Sequence, residues 1–183
     1  MKQRPLMQWL PKCGWLLACL LLAGTGFSQP VGIRQEKTSV AMADGVTLVT
    51  QLYLPAQEGK HPTILIRTPY NNSASDLSGY GKAFAEAGYS VVVQLVRGRG
   101  GSGGAFLPFA AELSDGVATL DWIVKQPWSS GKVGVWGPSY LGHCGLLLAG
   151  SGHPAVAAGV NISGWADLQT FLRTGDPFVW LTI

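Results

Sequence analysis

Ser139 is the residue whose setting most clearly permits chemistry. In the segment Lys132 to Gly145, KVGVWGPSYLGHCG, a short apolar strand runs into a Gly-flanked serine and then into an apolar helical run. A strand-turn-helix elbow holds a serine in a strained backbone conformation and lifts its Oγ above the sheet, where it can attack an acyl carbon. Hydrolase elbows usually read G-x-S-x-G. Here the fifth position is Leu141 and the closing glycine falls one later, giving Gly137-Pro138-Ser139-Tyr140-Leu141-Gly142. On this pattern alone, a nucleophile and a simple Gly-Pro-Ser turn between core elements are equal readings.

The elements that must position Ser139 follow from periodicity. Alternating apolar and β-branched residues from Thr38 to Leu54, split by Asp44-Gly45, predict a β-hairpin. Thr63 to Arg67 is a short β-rich run, Gly81 to Gly88 a short helix with Phe84 and Ala85 inward, and Tyr89 to Val96 a strand buried on both faces. Asp115 is expected to cap a helix with Val117, Leu120, Ile123 and Val124 on one stripe, ending before Pro127. The elbow strand at Val133 to Trp136, a helix from Tyr140 to about Ala149, and an apolar run from Ala155 to Ile162 complete the series. Such alternation predicts an α/β fold: a mostly parallel sheet with an N-terminal hairpin and helices on both faces.

Composition sets the limits. With 183 residues, 25 glycines and only 13% charged residues, the chain suits one tightly turned α/β domain. Residues 1 to 28 differ in kind: Lys2, Arg4 and Lys12 precede an apolar run from Trp15 to Ala23, followed by small residues. This is the pattern of a secretory signal peptide with cleavage before Gln29, so a secreted or periplasmic product is expected. Its run of nine apolar residues is too short to span a bilayer, and no stable membrane anchor is expected after cleavage. A lipoprotein reading at Cys19 is weaker, because the apolar run mostly follows that cysteine. The leader takes three of the 13 basic residues with it, leaving 10 against 10 acidic, so the nominal charge of +3 gives no sign of a nucleic-acid partner. It also takes Cys13 and Cys19. Cys144 alone is left, and it reads as a buried structural thiol.

Five ordered motifs then stand out: Asp44-Gly45 with Leu52-Tyr53-Leu54-Pro55; Arg67-Thr68-Pro69-Tyr70-Asn71; Val96-Arg97-Gly98-Arg99-Gly100-Gly101-Ser102; Asp121-Trp122 with Gln126-Pro127-Trp128; and the elbow. Together they resemble the cocaine-esterase-like (CocE/NonD) hydrolases, which include X-prolyl dipeptidyl peptidases and α-amino-acid ester hydrolases. The likeness runs over nearly all of residues 29 to 183. It implies the N-terminal portion of an α/β-hydrolase domain that attacks a small ester, amide or short peptide through an acyl-enzyme. It further implies Ser139 as nucleophile and the Tyr70 hydroxyl and the Tyr140 backbone N–H as oxyanion donors; from the residues themselves, no cofactor or metal is expected.

Two departures matter. The family reads Q-D-V-R-G where this chain has Gln94-Leu95-Val96-Arg97-Gly98, so Arg97 is expected to lack a carboxylate partner and its loop to be looser. In the family the triad Asp and His follow the serine, beyond a helical cap. His61, His143 and His153 are the only histidines, and none is placed to serve Ser139, so the triad Asp and His are expected outside this sequence. Asp167 and Asp176 suit capping and turn roles. The 183 residues by themselves are therefore expected to be inactive, as part of a longer serine hydrolase. The alternative is a non-catalytic remnant or binding module. Gly98 to Gly103 also matches G-x-G-x-x-G, but Ala105-Phe106-Leu107-Pro108 follows with no helical period, which speaks for a surface loop and against a dinucleotide site. No Cys/His cluster has metal-ligand spacing.

Overall fold

The structure, a computed structural model, describes residues 32–70 and 77–166. Residues 1 to 28, expected to form a signal peptide, and Asp167 and Asp176 lie outside the described residues. Elements run in the order β1 (Ile33–Ala41), β2 (Thr47–Pro55), β3 (His61–Thr68), α1 (Leu77–Glu86), β4 (Ser90–Leu95), α2 (Glu112–Ile123), β5 (Ser129–Pro138), α3 (Ser139–Gly150) and β6 (Val156–Ile162).

Six strands form one sheet ordered β1-β2-β4-β3-β5-β6. The first two pair antiparallel, β2 pairs antiparallel with β4, and β4, β3, β5 and β6 are mutually parallel. The hairpin turn works as its residue types require. Gly45 has φ +82°, and the Asp44 carboxylate accepts the Val46 N–H at 3.2 Å, a side-chain-closed turn that reverses the chain.

Neighbouring residues of a strand point to opposite faces, and the core divides accordingly. Leu65, Val92, Val133 and Val135 pack with Leu120 and Ile123 of α2 and Leu148 of α3. Val91 and Ile66 instead join Tyr53 and Ala85 of α1, with Phe84 and Trp136 against them. Both sheet faces are thus covered, as the near-continuous apolar reading of β4 requires. The edge strand β6 is the exception, with Val160 and Ile162 exposed.

One local expectation is corrected. Asp115 does not cap α2, which begins at Glu112 after Ala111, with no side-chain cap. Glu112 and Asp115 both lie in its first turn and both are buried, because each meets an arginine.

Candidate active site

The parallel strands β3 and β5 deliver the candidate residues to one end of the sheet. Leu65 pairs with Val135, and each strand ends three residues later, at Thr68 and Pro138. Ser139 follows β5 directly and Tyr70 stands two residues past β3, so both sit at neighbouring carboxyl ends.

Ser139 has φ +51°, a left-handed conformation that costs an L-residue about 1–2 kcal/mol. The elbow imposes it. Pro138 is still extended, at φ −87° and ψ 156°, while Ser139 already begins α3. A Cβ on Gly137 would collide with Leu141, and one on Gly142 would collide with the Asn161 side chain of β6 and approach the Gly137 carbonyl to 2.8 Å. The glycine at 142 is thus demanded by close approach to β6, whereas Leu141 is buried in the core. That explains the shifted spacing of the motif.

The Tyr140 N–H lies in the first turn of α3, where main-chain donors have no intrahelical acceptor and face positive dipole density. An oxyanion above the elbow is the natural partner for such a donor. The Tyr140 side chain does a separate job: it is buried, its hydroxyl donates to the Glu112 carboxylate and accepts the Phe109 N–H at 3.1 Å, and its ring stacks on Phe109 at 4.7 Å. Burial and the neighbouring Glu112 push the phenol pKa up, so it remains a donor.

Tyr70 is 40% exposed, with its main-chain N–H donating to Thr68 Oγ1 at 3.1 Å. The preceding residue is clamped: Arg99 Nε donates to the Pro69 carbonyl at 2.7 Å, and the Arg99 guanidinium lies 4.8 Å over the Phe106 ring.

Arg97 is not without a partner, contrary to the expectation from Leu95. It forms a fork-on-carboxylate pair with Asp115 (Nε to Oδ2 2.7 Å, Nη2 to Oδ1 2.8 Å) and reaches Asp44 at 2.6 Å. These carboxylates raise the Arg97 pKa, and Arg97 in turn lowers that of Asp44. Asp115 from α2 and Asp44 from the hairpin turn thus provide from elsewhere in the chain the carboxylate that position 95 lacks. The glycine loop is fastened as well. Ser102 Oγ accepts the Val49 N–H at 2.8 Å and donates to the Leu95 carbonyl at 2.9 Å, and no helix opens at Gly98 to Gly104.

Sequence reasoning did not single out Arg67 and Glu112 as parts of a buried polar frame. A lone arginine in a β-rich run carries no signal of burial. The one available sign was the i, i+3 spacing of Glu112 and Asp115 on one helix face.

All three histidines are engaged away from Ser139. His143 is buried, donates from Nδ1 to the Trp165 carbonyl at 3.0 Å and stacks on the Trp165 ring. His153 accepts the Ala155 N–H on Nδ1, which leaves Nε2–H for Asp121 at 3.3 Å. The ring nitrogens of His61 meet the Gly88 and Gln57 carbonyls. Cys144 is a buried free thiol whose pKa burial pushes up to about 12, so it is no second nucleophile at neutral pH.

Known proteins resemble this chain over most of its length. The family profile of X-Pro dipeptidyl-peptidase (S15 family) matches residues 44–181. A cocaine esterase from Rhodococcus sp. (strain MB1 Bresler) is 38% identical over 133 residues, covering 70% of this chain and 23% of its own. Dipeptidyl aminopeptidase BIII from Pseudoxanthomonas mexicana is 29% identical over 164 residues, covering 80% and 24%. Among solved structures, an α-amino acid ester hydrolase superposes with TM-score 0.64 at 31% identity, over 79% of this chain and 28% of that one. An aminopeptidase from a marine sediment archaeon, Thaumarchaeota archaeon, gives TM-score 0.65 at 25% identity, over 90% and 28%. The chain spans about a quarter of the length of the curated relatives it matches.

Proposed function

The chain belongs to the X-Pro dipeptidyl-peptidase S15 family, and on that footing we propose that it forms the nucleophile-bearing part of a serine hydrolase acting on small acyl esters, amides or short peptides. The observation that carries the reading is Ser139, held at positive φ at the head of α3 beside the strand end that leads to Tyr70. Relatives named as an esterase and an aminopeptidase support both ester and peptide bonds as targets.

In this reading Ser139 Oγ attacks the acyl carbon as its proton passes to a base, and the carbonyl π electrons move onto oxygen. The Tyr70 hydroxyl and the Tyr140 N–H stabilise that oxyanion, each donor contributing about 3 kcal/mol. Collapse expels the alcohol or amine, protonated by the base, and leaves Ser139 acylated. Water, losing a proton to the base, then attacks the acyl carbon, and collapse breaks the bond to Ser139 Oγ, which takes the proton back from the base as the acid departs. The three histidines of the chain are held by other groups, and the curated relatives are about four times longer than the part matched. We therefore assign the base and its orienting carboxylate to sequence beyond Ile183. Residues 1 to 28 are read as an export signal, placing the enzyme outside the cytoplasm.

The test is pre-steady-state hydrolysis of p-nitrophenyl butyrate by the complete gene product. A burst of one p-nitrophenol per protein is expected, absent in Ser139→Ala and absent in residues 29–183 alone. A burst that survives Ser139→Ala refutes the assignment.

A further inference from the structure

Beneath the elbow lies a chain of buried polar groups that acyl transfer does not consume. Arg67, three residues before Tyr70 and only 1% exposed, donates from Nε to Gln94 Oε1 at 3.0 Å and from Nη1 to the main-chain carbonyl of Glu112. Its Nη2 lies 3.7 Å from Glu112 Oε2 and 3.9 Å from Asp115 Oδ2. Glu112 is 3% exposed and accepts the hydrogen of the Tyr140 phenol. A carboxylate buried this deeply persists only when paired and hydrogen-bonded, and its two side-chain partners come from the strand that leads to Tyr70 and from the helix that carries the Tyr140 N–H. Arg67 belongs to β3, Tyr140 to the first turn of α3. A second observation points the same way: Phe109, a non-glycine residue at φ +68°, directs its N–H to the Tyr140 hydroxyl and stacks its ring on that of Tyr140. Backbone strain of this kind persists where the surroundings over-determine a conformation.

Resting on the reading of the Tyr140 N–H as an oxyanion donor, we propose that Glu112 is a positioning residue for acyl transfer: it ties the Tyr140 phenol to Arg67 and so fixes the spacing between the Tyr140 N–H and the strand that leads to Tyr70. Glu112 touches no reacting atom. It acts by holding the first turn of α3 at a set height relative to β3, which is where small displacements of an oxyanion donor reduce the rate. The frame is continuous with the rest of the buried network, since Thr119 Oγ1 also donates to Gln94 Oε1 at 2.9 Å and Gln94 Nε2 donates to Thr50 Oγ1 at 3.3 Å. The frame therefore spans α2, β2, β3, β4 and α3.

The experiment measures kcat and KM for p-nitrophenyl butyrate on the complete gene product. Tyr140→Phe deletes only the hydroxyl and keeps the ring on Phe109. It is expected to lower kcat about tenfold with KM within about twofold, a split that general loss of folded protein does not produce. Glu112→Ala, which also removes the carboxylate facing Arg67, is expected to fall at least as far, and the double variant to fall no further than Glu112→Ala, because the phenol–carboxylate contact is already lost in each single change. Glu112→Gln retains an oxygen that accepts from the phenol and is expected to stay within about threefold of wild type. Wild-type kcat in Tyr140→Phe, or losses that multiply in the double variant, overturn the proposal while leaving Ser139 as nucleophile. Hydrolysis absent from the wild type, or surviving Ser139→Ala, contradicts the parent reading and this one with it.

Discussion

Ser139 carries a steric burden and, in the proposed function, a chemical one, and the two can be separated. Its φ of +51° is disfavoured for any side chain with a Cβ, whereas glycine adopts it freely. Ser139→Gly is therefore expected to be more stable than Ser139→Ala by about 1 kcal/mol in urea denaturation, although both lose the proposed nucleophile. The reverse order, Ala above Gly, is what an unstrained turn gives, because glycine adds entropy to the unfolded chain. The serine and its flanking glycines were legible in the sequence because an elbow restricts which residue types can stand at each place. The displacement of the closing glycine from 141 to 142 was visible but not explicable. Its cause is Asn161 of β6, a contact 19 positions away that no local pattern encodes.

At the scale of elements, the first turn of α2 is the junction that holds the others together. It brings Glu112 and Asp115 against Arg67 of β3 and against Arg97 of the loop after β4. The two arms of the Arg97 fork differ sharply in setting: Asp115 is 2% exposed and Asp44 54% exposed. Removing Asp115 leaves two arginines short of a buried counter-charge, so Asp115→Ala is expected to lower unfolding free energy by about 3 kcal/mol. Asp44→Ala removes a solvent-screened partner and is expected to move the denaturation midpoint little. Equal effects from the two substitutions contradict this division. Strand and helix positions were readable from period and turn chemistry. The role of Asp115 was not, because an acidic residue near a helix start reads as a cap until the arginine from another element is seen. The same long-range dependence hid the partners of Arg97: the missing acid at position 95 is a local fact, and its replacements arrive from 53 residues before and 18 residues after Arg97.

For the whole molecule, the order β1-β2-β4-β3-β5-β6 places the carboxyl ends of β3 and β5 side by side, and crevices at such strand ends are where open α/β sheets bind ligands. Fold class was open to sequence reasoning because alternation of strand and helix nearly dictates a parallel sheet; strand order was not, since it depends on which edges meet. Among the described residues, the sheet's β6 edge leaves Val160 and Ile162 exposed. The central claim is that this scaffold presents Ser139 as the acylated residue. The most direct measurement is intact-mass and peptide mapping of the complete gene product after reaction with a fluorophosphonate. One adduct per chain is predicted, on the peptide containing Ser139, with hydrolysis lost in step with its formation. An adduct on another residue, or full hydrolytic activity with Ser139 unmodified, contradicts the account.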